Sequence, residues 1–173
     1  MRPLLLLDFD GPLNPHRARE IPPGYRMHEI VEGAKVWRVL VNQQHGAELL
    51  ALAEIYDLVW ATSWEHGANR LLSPILGLPS DLPTILWPGR PSVADVRRGS
   101  WKTSHIADWV GGRPFAWVDD EVNRHDRFYL ERLGQPHLVL RVEPHLGLTA
   151  EDFAVLRGWG RKPFVDRGCG TDT

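Results

Sequence analysis

Four consecutive leucines, Leu4–Leu7, run directly into Asp8-Phe9-Asp10-Gly11. A short apolar run bounded by turn residues predicts a buried strand. Its carboxyl end then carries two acids, and that end is where open α/β sheets bind their ligands. Two carboxylates this close repel each other unless a cation lies between them. A divalent metal with a carboxylate nucleophile is the chemistry that uses such a pair. On its own the motif is better read as an ordinary strand end followed by a polar turn, so the remainder of the chain decides.

That remainder alternates apolar runs with helical stretches, which predicts βα units and a largely parallel sheet. The first strand covers about residues 3–8, and the Pro-rich stretch from Gly11 to Gly24 reads as loop. Tyr25–Val31 and Lys35–Val41, separated by Glu32-Gly33-Ala34, carry a hairpin signal. Gly46–Tyr56 has apolar residues at helical spacing. Asp57–Thr62 is a second buried strand, Glu65–Leu72 a helix closed by Ser73-Pro74, and Thr84–Trp87 a short third strand. Trp101–Val110 is helical and stops at Gly111-Gly112, and Phe115–Val118 is a fourth strand running into Asp119-Asp120. Glu121–Leu133 is a helix with a Gly134 stop, His137–Val142 a fifth strand, and Thr149–Trp159 a last helix with a Thr149/Asp152 capping pattern. The expected organisation is one domain over residues 1–160, with a flap insertion at about 15–45 and a tail over 161–173.

Composition narrows the class. At 173 residues the chain is long enough for one sizeable core, or one core and a small insertion. A hydrophobic share of 43% and a charged share of 24% are those of a globular protein in water. A net charge of −2 gives no electrostatic case for an anionic membrane or for long nucleic acid. The single cysteine, Cys169, forms no internal disulfide and gives no reason for export. The Leu4–Leu7 run is too short for a signal-peptide core, and no stretch reaches the length of a membrane span, so the expected location is cytoplasmic. Lysine occurs only at Lys35, Lys102 and Lys162, which draws attention to each.

Four signals then follow in order at predicted strand ends or helix starts. They are Asp8-Phe9-Asp10-Gly11-Pro12-Leu13-Asn14, Thr62-Ser63 after Leu58–Ala61, Lys102 before a helix, and Asp119-Asp120 after Phe115–Val118. In this order the chain resembles the haloacid-dehalogenase-like (HAD) superfamily of phosphatases and phosphotransferases, from about Leu4 to Asp120. The resemblance implies a Rossmann-like three-layer α/β sandwich around a mostly parallel five-stranded sheet, with the first strand between the second and the fourth. It also implies Mg²⁺ as cofactor and a phosphorylated substrate.

Residue by residue, the resemblance makes Asp8 the nucleophile that takes the phosphoryl group. Asp10 would protonate the leaving oxygen and then activate water, while its main-chain carbonyl binds the metal. Asp119 would be the third metal ligand, and Asp120 a direct or an outer one; alone, this acidic pair reads as a helix N-terminus. Thr62 would give its hydroxyl and amide to a phosphoryl oxygen, with Ser63 a competitor for that role. Lys102 would neutralise the nucleophile and the phosphoryl group in transit. Gly11, Ser63, Trp64 and His66 are expected to touch substrate. Asp10 also marks phosphate chemistry, since the dehalogenase branch is expected to lack an acid there. Pro12 departs from the pattern and removes a backbone donor from the nucleophile loop.

The hairpin at Tyr25–Val41 is a small flap rather than a cap domain, so the site is expected to stay open. Of eight tryptophans, Trp37 in the flap and Trp64 after Thr62-Ser63 are placed to stack on a base or sugar, whereas Trp60 and Trp117 fall inside buried strands. The histidines show no metal-ligand spacing. The leading reading is a Mg²⁺-dependent phosphatase working through an aspartyl-phosphate on a small molecule or nucleotide. The alternatives are a nucleotide or nucleic-acid-end phosphatase and a catalytically silent HAD-like binding module.

Overall fold

The computed structural model describes residues 1–89 and 100–164. Its elements are β1 (Leu4–Leu7), β2 (Arg26–Glu32), β3 (Lys35–Val41), α1 (Gln43–Leu52), β4 (Asp57–Trp60), a π-helical turn (Ala68–Leu72), α2 (Ser73–Leu76), α3 (Thr103–Val110), β5 (Phe115–Asp119), α4 (Arg124–Leu133), β6 (His137–Arg141) and α5 (Ala150–Gly160).

All four leucines of β1 are buried, because the strand sits inside a parallel sheet of order β4-β1-β5-β6 with helices on both faces. Each such side chain contributes about 1.5–3 kcal/mol on burial. Alternation along the strands sorts them into two layers. Leu5 and Leu7 join Leu58, Trp60, Ala116 and Val118 under α1, α2 and α5. Leu4 and Leu6 join Val59, Phe115 and Trp117 under Ile106 and Val110 of α3 and Leu130 of α4. The three-layer α/β architecture is the expected one, with β1 between β4 and β5 in register: Leu4 faces both Asp57 and Phe115.

Two local expectations differ. Among the described residues the predicted third strand at Thr84–Trp87 makes one parallel bridge, Thr84 to Trp60, and the sheet has four strands. Pro83 and Pro88 flank this run, and proline cannot donate to a ladder. Ser73-Pro74 does not close a helix either. A π-helical turn runs straight into α2, where Pro74 occupies the first turn and loses no hydrogen bond, while the buried Ser73 hydroxyl accepts from the Trp60 indole. The predicted capping pattern is present: the Thr149 side chain and Asp152 form a reciprocal box at the start of α5.

β2 and β3 form the flap, an antiparallel hairpin from Arg26↔Val41 to Glu32↔Lys35, turning at Gly33 with φ +59°. Ile30, Val39 and Val41 anchor it in the core. The Asn14 carboxamide accepts from the Leu40 N–H, and Arg70, within the π-helical turn, pairs with Glu32 near the hairpin tip. Among the described residues, no helix is long and apolar enough to cross a membrane.

Candidate active site

The sheet order brings the carboxyl ends of β4, β1 and β5 side by side, and with them Thr62, Asp8 and the pair Asp119-Asp120. Lys102, at the cap of α3, reaches into the same edge. Its ammonium donates to Asp8 Oδ2 and to Asp119 Oδ2, both at 2.7 Å. A cation at a helix N-terminus opposes the helix dipole, and here the two carboxylates offset it. All three groups are buried, Lys102 being 2% exposed and Asp119 fully enclosed. Burial alone would lower the Lys102 pKa, but Asp8 and Asp119 outweigh it and raise it.

The acids are in excess over the cation. Ionised together, Asp8, Asp119 and Asp120 against Lys102 would leave two uncompensated negative charges at one buried edge. Accordingly burial, with Asp8 adding to it against Lys102, pushes the Asp119 carboxyl up to about 7. Burial and Asp8 likewise raise Asp120, with His16 acting the other way. Carboxylate oxygens of Asp8, Asp119 and Asp120 all lie within 4.8 Å of one another. A compact all-oxygen set short of two positive charges fits a divalent cation of the Mg²⁺ type.

Further bonds fix the frame. Asp8 Oδ1 accepts from the Phe9 N–H at 2.7 Å, and Asp119 Oδ1 from the Glu121 N–H at 2.8 Å. Gly11 has φ +92°, and a Cβ there would stand 2.5 Å from Asp120 Cγ, so only glycine lets the Asp120 side chain close over the loop. Its N–H donates to the Asn14 carbonyl. Pro12 costs this loop nothing visible: its carbonyl accepts from the Leu148 N–H, tying the loop to the approach to α5.

Asp10 stands apart from the Lys102 cluster. Its Oδ1 accepts from the Asn14 amide at 2.7 Å and its Oδ2 from the Trp64 indole N–H at 3.0 Å. Asp10, Asn14, Ser63 and Trp64 line a cleft of about 540 Å³ whose opposite wall is the flap, with Lys35, Trp37 and Arg38. Thr62 is fully buried; its hydroxyl accepts from the Trp64 N–H and its carbonyl from the Trp87 indole. Ser63 is exposed on the cleft, and His66 is exposed outside its lining. Between them Glu65 adopts φ +46°, an uncommon left-handed conformation for a non-glycine residue, and its carboxylate accepts from the Trp87 N–H at 2.9 Å.

Two residues escaped sequence reasoning. Asn14 links Asp10 to the flap strand β3. Asp126 is buried, and its Oδ1 accepts from the Ser100 N–H and the Thr103 hydroxyl, both at 2.6 Å, while Oδ2 accepts from the Asn123 N–H. It thereby fixes the first turn of α3, and with it Lys102. The Asn123-x-x-Asp126 spacing, a capping signature, was the available signal. Arg97 and Arg98, the other cations before α3 in sequence, lie outside the described residues.

A parallel sheet whose first strand ends in Asp-x-Asp, met at the same edge by a buried lysine and a second acidic pair, defines a HAD-like hydrolase domain. Residues 4–153 match the family described as "HAD domain in Swiss Army Knife RNA repair proteins", and the chain belongs to that family. No curated protein and no solved structure matches it.

Proposed function

We propose that the chain is a Mg²⁺-dependent phosphomonoesterase that works through an aspartyl-phosphate, and that its substrate is the phosphorylated end of a nucleic-acid strand. The observation that carries the chemistry is the buried Asp8–Lys102–Asp119 cluster, with an Asp120 carboxylate oxygen within 4.8 Å of those of Asp8 and Asp119, and with Asp10, two residues after Asp8, lining a cleft. The family's description, which places these domains in RNA repair proteins, supports the substrate class. A cytoplasmic setting fits a chain with one cysteine.

Asp8 attacks phosphorus through a carboxylate oxygen. The bond from phosphorus to the leaving oxygen breaks, and Asp10 gives that oxygen a proton. Lys102 stays against Asp8 throughout, so charge moving from nucleophile to phosphoryl group stays next to a cation already in place. Thr62 or Ser63 supplies a hydroxyl to a phosphoryl oxygen. Water then attacks phosphorus, Asp10 takes its proton, and inorganic phosphate leaves with Asp8 restored. Asp8, the Asp10 carbonyl and Asp119, with Asp120 directly or through water, would hold the Mg²⁺, which supplies the positive charge that three phosphoryl oxygens require.

The test is hydrolysis of an aryl phosphate and of phosphorylated oligonucleotides, with Mg²⁺ and with excess chelator. Turnover should need the metal, and a rapid acid quench should trap phosphate on the parent protein but not on Asp8→Asn. Undiminished rates in chelator refute the metal, and parent-like rates for Asp8→Asn refute the nucleophile.

A further inference from the structure

The leaving group of this reaction has to lie beside Asp10, because Asp10 hands it a proton. Asp10 lines the cleft between the flap and the segment after β4, so that cleft is where the leaving group sits. Its volume of about 540 Å³ falls in the range of small-ligand pockets, about 300–1,000 Å³, and is ample for a nucleoside.

Its walls have two kinds of side chain. Trp37 and Trp64 are both partly exposed there, with ring centroids 5.3 Å apart and planes tilted by 55°. No third ring fits between them, so they offer one continuous aromatic face instead of a slot. Around that face lie Lys35, Arg38 and Arg70, against the carboxylates of Asp10 and Glu32 in the same lining. Lys35 Nζ is 5.9 Å from the Trp37 ring centre, which puts a cation next to the stacking surface. The pairs Arg38–Glu29 and Arg70–Glu32 are exposed, and such pairs are worth at most about 1 kcal/mol, so a phosphodiester can displace the carboxylates. Hydrogen bonds that read a base edge are scarce. The Asn14 carboxamide is already engaged by Asp10 and by the Leu40 N–H.

We propose that this cleft binds the unpaired terminal nucleoside of a single strand, its base stacked on Trp37 and Trp64 and the next phosphate along the strand held by Lys35, Arg38 and Arg70. The inference rests on the phosphatase reading above and narrows it: the substrate is a single-stranded end at least two nucleotides long, accepted with little sequence preference. A blunt duplex end, whose last base is already stacked and paired, has to fray first.

The experiment compares kcat/KM for a short oligonucleotide phosphorylated at its 3′ or its 5′ end, the same strand in a blunt duplex, a mononucleotide and 4-nitrophenyl phosphate. Single strands should lead, and the two end-labelled arms read the polarity. Base–aromatic stacking of about 1–3 kcal/mol predicts that Trp37→Ala lowers the oligonucleotide-to-aryl ratio by roughly 5- to 150-fold, whereas Trp37→Phe keeps most of it. Lys35→Ala with Arg38→Ala, both at exposed positions, should flatten the salt dependence of oligonucleotide binding by about 0.7 in log–log slope for each phosphate no longer neutralised. Arg132→Ala, an exposed cation on α4, should leave that slope alone. Binding of a dye-labelled oligonucleotide to Asp8→Asn gives the same comparison without turnover. Oligonucleotide binding that depends on Trp37 in a protein that hydrolyses no phosphate ester supports the cleft and refutes the phosphatase reading. Hydrolysis with equal losses on oligonucleotide and aryl phosphate, or a preference for blunt duplex, overturns the cleft and leaves the phosphatase reading in place.

Discussion

Lys102→Met separates the two roles that one ammonium group plays here. The side chain is buried, and its Nζ lies 2.7 Å from one oxygen of Asp8 and from one of Asp119. Methionine keeps the length of the chain and removes the charge, leaving three acids at this edge with no cation. Breaking a buried ion pair from one side costs about 3–5 kcal/mol, because the remaining charge is left without compensation. Two carboxylates are stranded here, so the metal-free variant should lose at least that much stability. A divalent ion then has the acids to itself. A double and a single charge about 4 Å apart in surroundings of effective dielectric about 20 interact by about 8 kcal/mol, which sets the upper scale of what the ammonium now costs the metal. Mg²⁺ should therefore bind the variant about tenfold or more tightly, and the rise in Tm on adding Mg²⁺ should exceed that of the parent. Catalysis should go the other way, with kcat down about 10²- to 10³-fold, the usual loss for one preorganised charge-stabilising donor.

The same cluster sets a pH dependence. Asp119 has its folded-state pKa raised to about 7, by burial first and by Asp8, with Lys102 opposing. A raised carboxyl contributes stability that is fully present below its unfolded value of 3.8 and is lost as pH climbs through the folded value. The metal-free parent should therefore weaken between about pH 4 and 7, and Mg²⁺ should abolish that decline. Lys102→Met, which removes the group holding Asp119 down, should shift the window upward. Calorimetric melts at several pH values, Mg²⁺ titration and steady-state rates together decide the matter. Weaker Mg²⁺ binding by the variant, or a kcat equal to the parent's, refutes the picture of one lysine shared between nucleophile and metal ligand.

Three other substitutions probe separate parts of the frame. Gly11→Ala forces a β-carbon into Asp120 from a backbone at φ +92°, so it should cost roughly 1–3 kcal/mol in a melt and weaken Mg²⁺ binding, read by the shrunken metal-induced rise in Tm. Trp64→Phe keeps an aromatic ring beside Phe9 and Trp37 but deletes the N–H donated to Asp10 at 3.0 Å; kcat should fall several-fold for an alkyl phosphate and much less for 4-nitrophenyl phosphate, whose leaving group needs no proton. His45 is buried between Tyr25 and Phe153, which lowers its pKa to about 4; such a group contributes stability above its unfolded value of about 6.5 that is lost as pH falls through about 4. His45→Phe should remove this acid-side loss, worth up to about 3 kcal/mol, and identical acid melts for the two proteins would refute it.

The sheet was legible because strands buried on both faces must be written as unbroken apolar runs: Leu4–Leu7 and Phe115–Val118 can be read as little else. Their carboxyl ends were legible for the same reason, since each run stops at an acid. Thr84–Trp87 misled because its apolar residues serve packing, not pairing: Ile85 is core, but prolines on both sides leave room for one bridge. What the sequence hid were contacts made across it. The Trp64 indole reaches Asp10 over 54 positions, and Asp126 holds Ser100 and Thr103 over 26 and 23. No local period encodes such pairs; they exist only once β1, β4 and β5 lie side by side.

The two donors on Asp10 have a common dependence. The Asn14 side-chain amide holds Oδ1, and its carboxamide oxygen accepts from the Leu40 N–H in the flap. Trp64 holds Oδ2, and its ring packs at a tilt of 55° against Trp37, also in the flap. Among the described residues the Asp8–Lys102–Asp119 cluster shows no such link, its bonds running between the ends of β1, β5 and α3. The architecture therefore divides the labour along the chain. On the proposed mechanism the sheet edge would fix where phosphorus is attacked, and the seating of a two-stranded hairpin would fix where the departing oxygen meets its proton. A flap that shifts to admit a strand end moves both supports of Asp10 together while leaving the proposed nucleophile and metal ligands in place, so changes in the hairpin should alter which leaving groups are accepted more than the chemistry at Asp8.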